Sequence, residues 1–259
     1  GGAANVALNI RTLGAKVSLL STVGTDSAAQ TLRKLLQDSG IESELLDDPS
    51  METIVKLRVI GRSHQMIRID FEKVPNHAVL SSMLDRFPTL LKKHDLVLFS
   101  DYGKGGLQHV SKMIDLARKE GKAVLIDPKG NDWSRYSGAT VITPNRAELA
   151  QVIGSWNSET ELNNKAQDLR HKLGLDALLL TRSEEGMTLF ESDRVTTMSA
   201  QAREVADVTG AGDTVIATMA LMVACGLNPE QAMYWANRAG GLVVAKFGAA
   251  SLAYEELFE

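Results

Sequence analysis

The sequence is nearly free of cysteine. Cys225 is the only one in 259 residues, which rules out an internal disulfide and any cysteine-based zinc spacing. Set in an apolar run, it reads as a small buried residue rather than a reactive thiol. A chain so poor in thiols suits a reducing, cytoplasmic setting. Long apolar runs are missing too. Nothing approaches the roughly 18 residues of a membrane span, and no segment has the build of a signal peptide. Positive charge is not in surplus: 28 Lys and Arg face 32 Asp and Glu, a formal net charge of −4. That leaves no basic patch for nucleic acid and no basic amphipathic arm for a membrane surface. Internal repeats, low-complexity tracts and Pro- or Ser-rich linkers are also absent. Residues 1–259 therefore read as one domain. The abrupt start at Gly1-Gly2-Ala3-Ala4-Asn5, with neither Met nor a leading strand, reads as a truncated N-terminus.

What is present is a 44% hydrophobic content, enough to bury a core, laid out as strand, helix, strand, helix. Short apolar runs over 16–21, 95–100, 123–126, 140–143 and 177–181 predict strands. Leu32, Leu35 and Leu36 predict a helix over 28–39 that stops at Gly40. Val110, Met113, Ile114 and Ala117 predict another that ends near Gly121. Continuous apolar strands alternating with amphipathic helices imply an α/β fold: a central, mostly parallel sheet with helices on both faces. Ligands of such sheets bind beyond the carboxyl ends of the strands. Here those ends run into Ser100-Asp101-Tyr102-Gly103-Lys104-Gly105, Asp127-Pro128-Lys129-Gly130, Thr143-Pro144-Asn145 and Thr181-Arg182-Ser183-Glu184.

One segment, about 52–73, breaks this alternation. Residues 53–60 and 66–71 have period two around 61–65, the pattern of an antiparallel hairpin. Val55, Leu57, Val59, Ile67, Ile69 and Phe71 can share one face, with Lys56, Arg58, Arg68 and Asp70 on the other. A hairpin inserted into a parallel α/β chain is a candidate lid; the plainer reading is a solvated charged face.

The strongest chemical signal is Asp207-Val208-Thr209-Gly210-Ala211-Gly212-Asp213-Thr214, followed at once by an apolar helical run, 215–225. A glycine-rich loop entering a helix presents free N–H groups at the positive end of the dipole, which makes an anion site. An aspartate at that point suits phosphoryl transfer: the N–H groups of Gly210, Ala211 and Gly212 stabilise the transferring group while Asp213 deprotonates the attacking hydroxyl. The alternative is an ordinary first-turn acid. The string is neither a Walker loop nor a dinucleotide fingerprint.

Residues 207–217 resemble the C-terminal signature of the ribokinase-like (PfkB) carbohydrate kinases, and Gly1-Gly2-Ala3-Ala4-Asn5-Val6-Ala7 resembles their N-terminal signature. Within that family the strings Lys56-Leu57-Arg58-Val59, 67–72, 100–105, 125–130 and 181–187 resemble the heptose 7-phosphate kinase domains that occur fused to a heptose 1-phosphate adenylyltransferase. The resemblance implies a ribokinase-like fold with a hairpin lid, ATP and Mg²⁺, and phosphorylation of D-glycero-D-manno-heptose 7-phosphate at the anomeric O1, a step toward ADP-heptose and lipopolysaccharide core. It also implies pairing into homodimers through the lids and a fused adenylyltransferase not contained in this chain. The family's first strand, with its acidic sugar contact, is missing, and Gly248-Ala249-Ala250-Ser251 departs modestly from the subgroup's form.

By this resemblance Gly1, Gly2 and Asn5 bind sugar; by residue type alone that stretch reads as a turn. Asn145 and Glu148 match an Asn-x-x-Glu motif near the magnesium, with Glu148 acting through metal-bound water; their spacing is equally that of a capping box. Lys129 and Lys104 are candidate phosphate contacts or plain surface lysines. Thr181, Arg182, Glu184 and Gly186 fall where the family places nucleotide contacts. Asn237 falls near its adenine pocket or is a polar surface position. Asp207, Thr209 and Gly248 match positions that hold a monovalent cation such as K⁺ in some relatives. Lys56, Arg58 and Arg68, with Lys104, are expected to grip the 7-phosphate. Kinases for ribose, fructose, a tagatose phosphate or a nucleoside are the nearest alternatives, though the hairpin cations favour a phosphorylated sugar. A catalytically silent sensor on the same fold is argued against by the intact Gly-Ala-Gly-Asp and Asn-x-x-Glu strings, and a nicotinamide dehydrogenase by the missing fingerprint.

Overall fold

Val124, Leu125 and Ile126 have no solvent exposure, because their strand lies mid-sheet with helices on both sides. The computed structural model describes residues 2–61, 64–71, 73–201 and 205–259. In chain order these form α1 (Gly2–Thr12), β1 (Ser18–Val23), α2 (Ser27–Asp38), β2 (Glu42–Asp47), β3 (Val55–Gly61), β4 (His64–Phe71) and α3 (His77–Leu91). There follow β5 (Leu96–Ser100), α4 (Val110–Lys119), β6 (Ala123–Asp127), β7 (Val141–Ile142), α5 (Arg146–Ile153), α6 (Glu159–Leu173) and β8 (Ala177–Thr181). The chain continues through β9 (Met187–Phe190), β10 (Val195–Met198), α7 (Ala211–Ala224), α8 (Pro229–Val243) and α9 (Tyr254–Phe258).

Six strands form the main sheet in the order β10-β9-β8-β7-β6-β5. β5 to β8 run parallel, and β9 and β10 turn antiparallel. Alternate residues serve opposite faces, as a pleated strand requires. Ile126, Ile142, Leu178 and Leu180 pack with Ile114, Leu149, Leu162 and Leu169 of α4, α5 and α6. Leu125, Val141 and Leu179 pack with Met219, Ala220, Ala232 and Ala236 of α7 and α8. The continuous apolar strands read from the sequence are therefore buried on both faces. β1 and β2 make a separate parallel pair.

β3 and β4 form the expected antiparallel hairpin, with Val55 opposite Phe71, Lys56 opposite Asp70, Leu57 opposite Ile69, Arg58 opposite Arg68 and Val59 opposite Ile67. The register slips between Val59 and Ile60, a bulge that strengthens local twist. Val55, Leu57, Val59, Ile67 and Ile69 are all exposed, from 38% to 51%. Two carboxylates pin the base of the hairpin. Asp26 accepts from the Thr53 N–H at 2.7 Å and the Thr53 hydroxyl at 2.8 Å. Buried Asp48 accepts from the Asn76 N–H at 2.6 Å and from the Ser50 N–H and hydroxyl.

Two expectations are corrected. The stretch after Gly1 is not a turn: Gly2 opens α1, because Val6, buried against Ile216 and Ala217 of α7, supplies packing that overrides the weak helix propensity of glycine. Cys225 is exposed rather than buried, since α7 ends at Ala224 and Cys225 caps it where the helix reaches solvent.

Candidate active site

The 207–213 loop and the first turn of α7 supply the centre of the site. Gly210 has φ 79° and is the N-cap of α7, with no side-chain cap on the helix N–H groups. A β-carbon there would crowd the Asn5 amide at 3.0 Å, and φ > 0 suits glycine. Around Gly212 a β-carbon would meet nothing within 4 Å, so its backbone faces open space. This is the exposed, positive end of a helix that an anion requires.

Asp213 sits in that first turn with both carboxylate oxygens engaged. The Asn5 side-chain amide donates to Oδ2 at 2.7 Å, and the Tyr102 hydroxyl donates to Oδ1 at 2.6 Å. Asn5 is placed by α1, which is tied to α7 by the buried bond from the Thr214 hydroxyl to Asn9 Oδ1 at 3.0 Å. Tyr102 lies in the loop after β5. Its backbone is set by buried Asp101, which accepts from the Gly103 N–H at 2.7 Å and from the hydroxyl of fully buried Tyr136 at 2.6 Å. Burial, and then the adjacent Asp213 charge, push the Tyr102 hydroxyl far above its ordinary range.

Negative charge accumulates beside it. Asp127, at the end of β6, is pushed up to about 8, first by burial and then by the charges of Glu148 and Asp213. Glu148 is buried at the start of α5. Its Oε2 accepts from the Asn145 N–H at 3.0 Å while Asn145 Oδ1 accepts from the Glu148 N–H at 3.0 Å, so the capping box exists. The other oxygen accepts from Lys129 Nζ at 2.7 Å. One side chain thus both caps α5 and pairs with Lys129. Asp127 and Glu148 suit Mg²⁺, which binds through one or two carboxylates plus phosphate and water; the observation in favour is Asp127, whose charged form burial and the neighbouring carboxylates disfavour and a divalent cation would restore.

The remaining sequence-derived residues divide. The loop holding Lys104 packs beside Lys129, whose Cγ a β-carbon on Gly103 would meet at 3.6 Å. Asp207 accepts from the Thr209 and Gly248 N–H groups at 2.9 and 3.0 Å, so these three positions do converge. Lys56 reaches the centre, with Nζ 5.5 Å from the Tyr102 ring centroid. Gly1 and the side chains of Arg58 and Arg68 lie outside the described residues. Arg182, 7% exposed, is committed to Glu159 through two bonds of 2.8 and 2.6 Å, to Glu185 at 2.9 Å and to Thr188 at 3.2 Å. Glu184 is exposed beside it. Thr181 joins β8 to the segment before α5, its N–H donating to Pro144 O at 2.9 Å. Gly186 has φ 96°, and a β-carbon there would overlap the backbone of Met198; its close approach is to the protein's own chain. Asn237 is buried rather than a surface position, donating to Ser199 O at 2.8 Å, because α8 packs this face against β10.

Sequence reasoning missed Tyr102 and Asp127 as site residues. Both stand in strand-end loops already singled out, and that position beyond β5 and β6 was the available signal.

The sequence pattern of the pfkB family carbohydrate kinases matches residues 1–256. The chain is 47% identical over 257 residues to a D-beta-D-heptose 7-phosphate kinase of Bordetella bronchiseptica, covering 99% of this chain and 82% of that protein. It is 47% identical over 260 residues to a bifunctional protein HldE of Nitrosococcus oceani, covering 99% of this chain but 54% of the relative, so it spans about half the length of such bifunctional proteins. Among solved structures it resembles phosphofructokinase-2 of Escherichia coli in complex with potassium, with a TM-score of 0.84 at 17% identity over 99% of this chain and 85% of that one. It likewise resembles a ribokinase of Arabidopsis thaliana complexed with ribose and ATP, with a TM-score of 0.79 at 20% identity over 99% and 83%.

Proposed function

The chain belongs to the pfkB family of carbohydrate kinases, and on that premise we propose that it transfers the γ-phosphoryl group of ATP to the anomeric hydroxyl of D-glycero-D-manno-heptose 7-phosphate. The fold is ribokinase-like. The observation that carries the reading is Asp213, a carboxylate held at the open N-terminus of α7 by Asn5 and Tyr102. The choice of sugar is supported by the 47% identity to a heptose 7-phosphate kinase.

In this reading Asp213 accepts the proton of the attacking hydroxyl, and the N–H groups of Gly210, Ala211 and Gly212 stabilise charge on the transferring phosphoryl. Lys129 contacts the phosphates, with Lys104 beside it. Asp127 and Glu148 would hold Mg²⁺, which supplies charge neutralisation on the phosphate oxygens. Asp207, Thr209 and Gly248 would hold a monovalent cation such as K⁺. Gly2 and Asn5 face the sugar, and Lys56 with Arg58 and Arg68 would grip its 7-phosphate from the hairpin. The exposed apolar residues Val55, Leu57, Val59, Ile67 and Ile69 support a homodimer built through the hairpins. An adenylyltransferase would account for the remaining length of the bifunctional relatives. No helix among the described residues is long and apolar enough to cross a membrane, and we place the activity in the cytoplasm.

The test is ADP release with ATP and Mg²⁺ against heptose 7-phosphate, ribose, fructose 6-phosphate, fructose 1-phosphate and adenosine. Turnover with heptose 7-phosphate that falls by about 10² or more in Asp213→Asn, the scale of general-base loss, supports the reading. Turnover with a different sugar keeps the chemistry and discards the substrate. ATP binding without turnover on any of them favours a sensor.

A further inference from the structure

We propose that Tyr102 is a positioning residue that fills the acceptor seat of this kinase until a sugar displaces it, and so keeps water from the base; the inference rests on Asp213 being that base. Its phenol O–H donates to Asp213 Oδ1 at 2.6 Å. That is the contact an attacking hydroxyl makes before it surrenders its proton. The other carboxylate oxygen is held by Asn5, which α1 fixes through the buried Asn9–Thr214 bond one residue beyond Asp213. Of the two donors, Tyr102 is the one that can yield.

The ring lies directly on Gly2, where a β-carbon would overlap the phenol. It thus covers the bare backbone that faces the sugar in the proposed function. From the hairpin, Lys56 stands over the same ring at 5.5 Å, a cation–π distance. The tyrosine thus links Lys56 of the hairpin to the base. Its own backbone is pinned by Asp101, which is bound to Gly103 and Tyr136, so a change of seat is a rotation of the side chain rather than of the loop. The phenol, whose ionisation burial and Asp213 suppress, remains a donor and not a nucleophile.

The consequence is chemical. In an open seat a water would bind Asp213 Oδ1 and lose its proton to the carboxylate as its oxygen bonds to the γ-phosphorus. The bond to the ADP oxygen would break, releasing ADP and inorganic phosphate. A phenol in the seat removes that water. A sugar displaces the phenol because its remaining contacts supply binding energy that water lacks.

Tyr102→Phe keeps the ring on Gly2 and under Lys56 and removes only the hydroxyl. Sugar-free ATP hydrolysis is expected to rise about tenfold, and KM for the sugar to fall by up to about tenfold, since one hydrogen bond to a charged group no longer has to be broken. The ratio of ADP to sugar phosphate should exceed one. A lower kcat with sugar-free hydrolysis and KM unchanged would overturn the proposal. A second measurement needs no turnover. The protein has four tyrosines; labelled with 3-fluorotyrosine, with Tyr102→Phe assigning the resonance, it should show the position-102 signal moving when heptose 7-phosphate is added without ATP. Sugar binding by calorimetry with an unmoved signal also overturns it. If no sugar binds and wild type phosphorylates none, the substrate reading has failed instead. The seat is then decided by whether Tyr102→Phe raises hydrolysis and whether adding Asp213→Asn abolishes the rise.

Discussion

Asn5 and Asp213 are 208 residues apart in sequence and meet at 2.7 Å. One turn along α1 and one residue along α7, Asn9 and Thr214 make a parallel contact at 3.0 Å, with neither residue exposed. Two polar pairs thus dock the N-terminal helix onto the helix that carries Asp213, inside an otherwise apolar seam of Val6, Ile216 and Ala217. Asn9→Ala leaves the Thr214 hydroxyl with only its own-turn bond to Gly210 O. The expected loss is about 0.5–1.5 kcal/mol, the net scale of one intramolecular hydrogen bond, since the Thr214 hydroxyl keeps that partner. Chemical denaturation measures it, and kcat should fall with it because Asn5 loses its register on Asp213.

Asp127 predicts an unusual pH dependence. Its folded value, about 8, lies above its ordinary 3.8, so between these limits the folded protein holds a proton the unfolded chain has released. Stability must then fall as pH rises through this window, by at most about 1.4 kcal/mol per pH unit. Thermal unfolding of the metal-free protein from pH 5 to 9 should show that slope. Asp127→Asn should flatten it, and saturating Mg²⁺ should flatten it by favouring the carboxylate. An unaltered slope in Asp127→Asn would assign the effect to other groups.

The hairpin base predicts the opposite sign. Bonds from the Thr53 and Ala29 N–H groups hold Asp26 below its ordinary 3.8, and bonds from the Asn76 N–H and Ser50 do the same for Asp48. Both contributions are complete above the ordinary carboxylate value and disappear as pH falls below it through the depressed folded values. Limited proteolysis should therefore cut within 50–76 earlier than elsewhere as the solution is acidified below about pH 4. Asp48→Asn should bring that cutting to neutral pH.

Arg182 separates a structural role from a nucleotide contact. It is nearly buried and spends its guanidinium on Glu159 and Glu185. Arg182→Ala is expected to destabilise by about 2 kcal/mol, less than for a fully buried pair because Glu159 is largely exposed. KM for ATP should change by less than about threefold if the role is structural. A tenfold rise in KM at unchanged stability would return Arg182 to the nucleotide site, each tenfold being about 1.4 kcal/mol.

Features that depend on near neighbours were readable from the residues alone. Period and composition gave the parallel strands, because strands covered on both faces must be continuously apolar. The Asn145–Glu148 box was legible because a cap is an i to i+3 relation. The Gly210-Ala211-Gly212-Asp213 entry to α7 was legible because an open helix N-terminus is a local device. The rest emerged only on folding. Glycine at the start of α1 argued for a turn, and burial of Val6 made it a helix. The internal partners of Arg182 and Asn237, and the close approach of Gly186 to the backbone of Met198, appear only in the folded chain. Tyr102 and Asp127 carry no local signature. What sets them apart is that the carboxyl ends of β5 and β6 approach the start of α7, which brings the Tyr102 phenol onto Asp213 and leaves Asp127 within reach of the charges of Glu148 and Asp213. Charge and desolvation act through space, so only the folded chain fixes them.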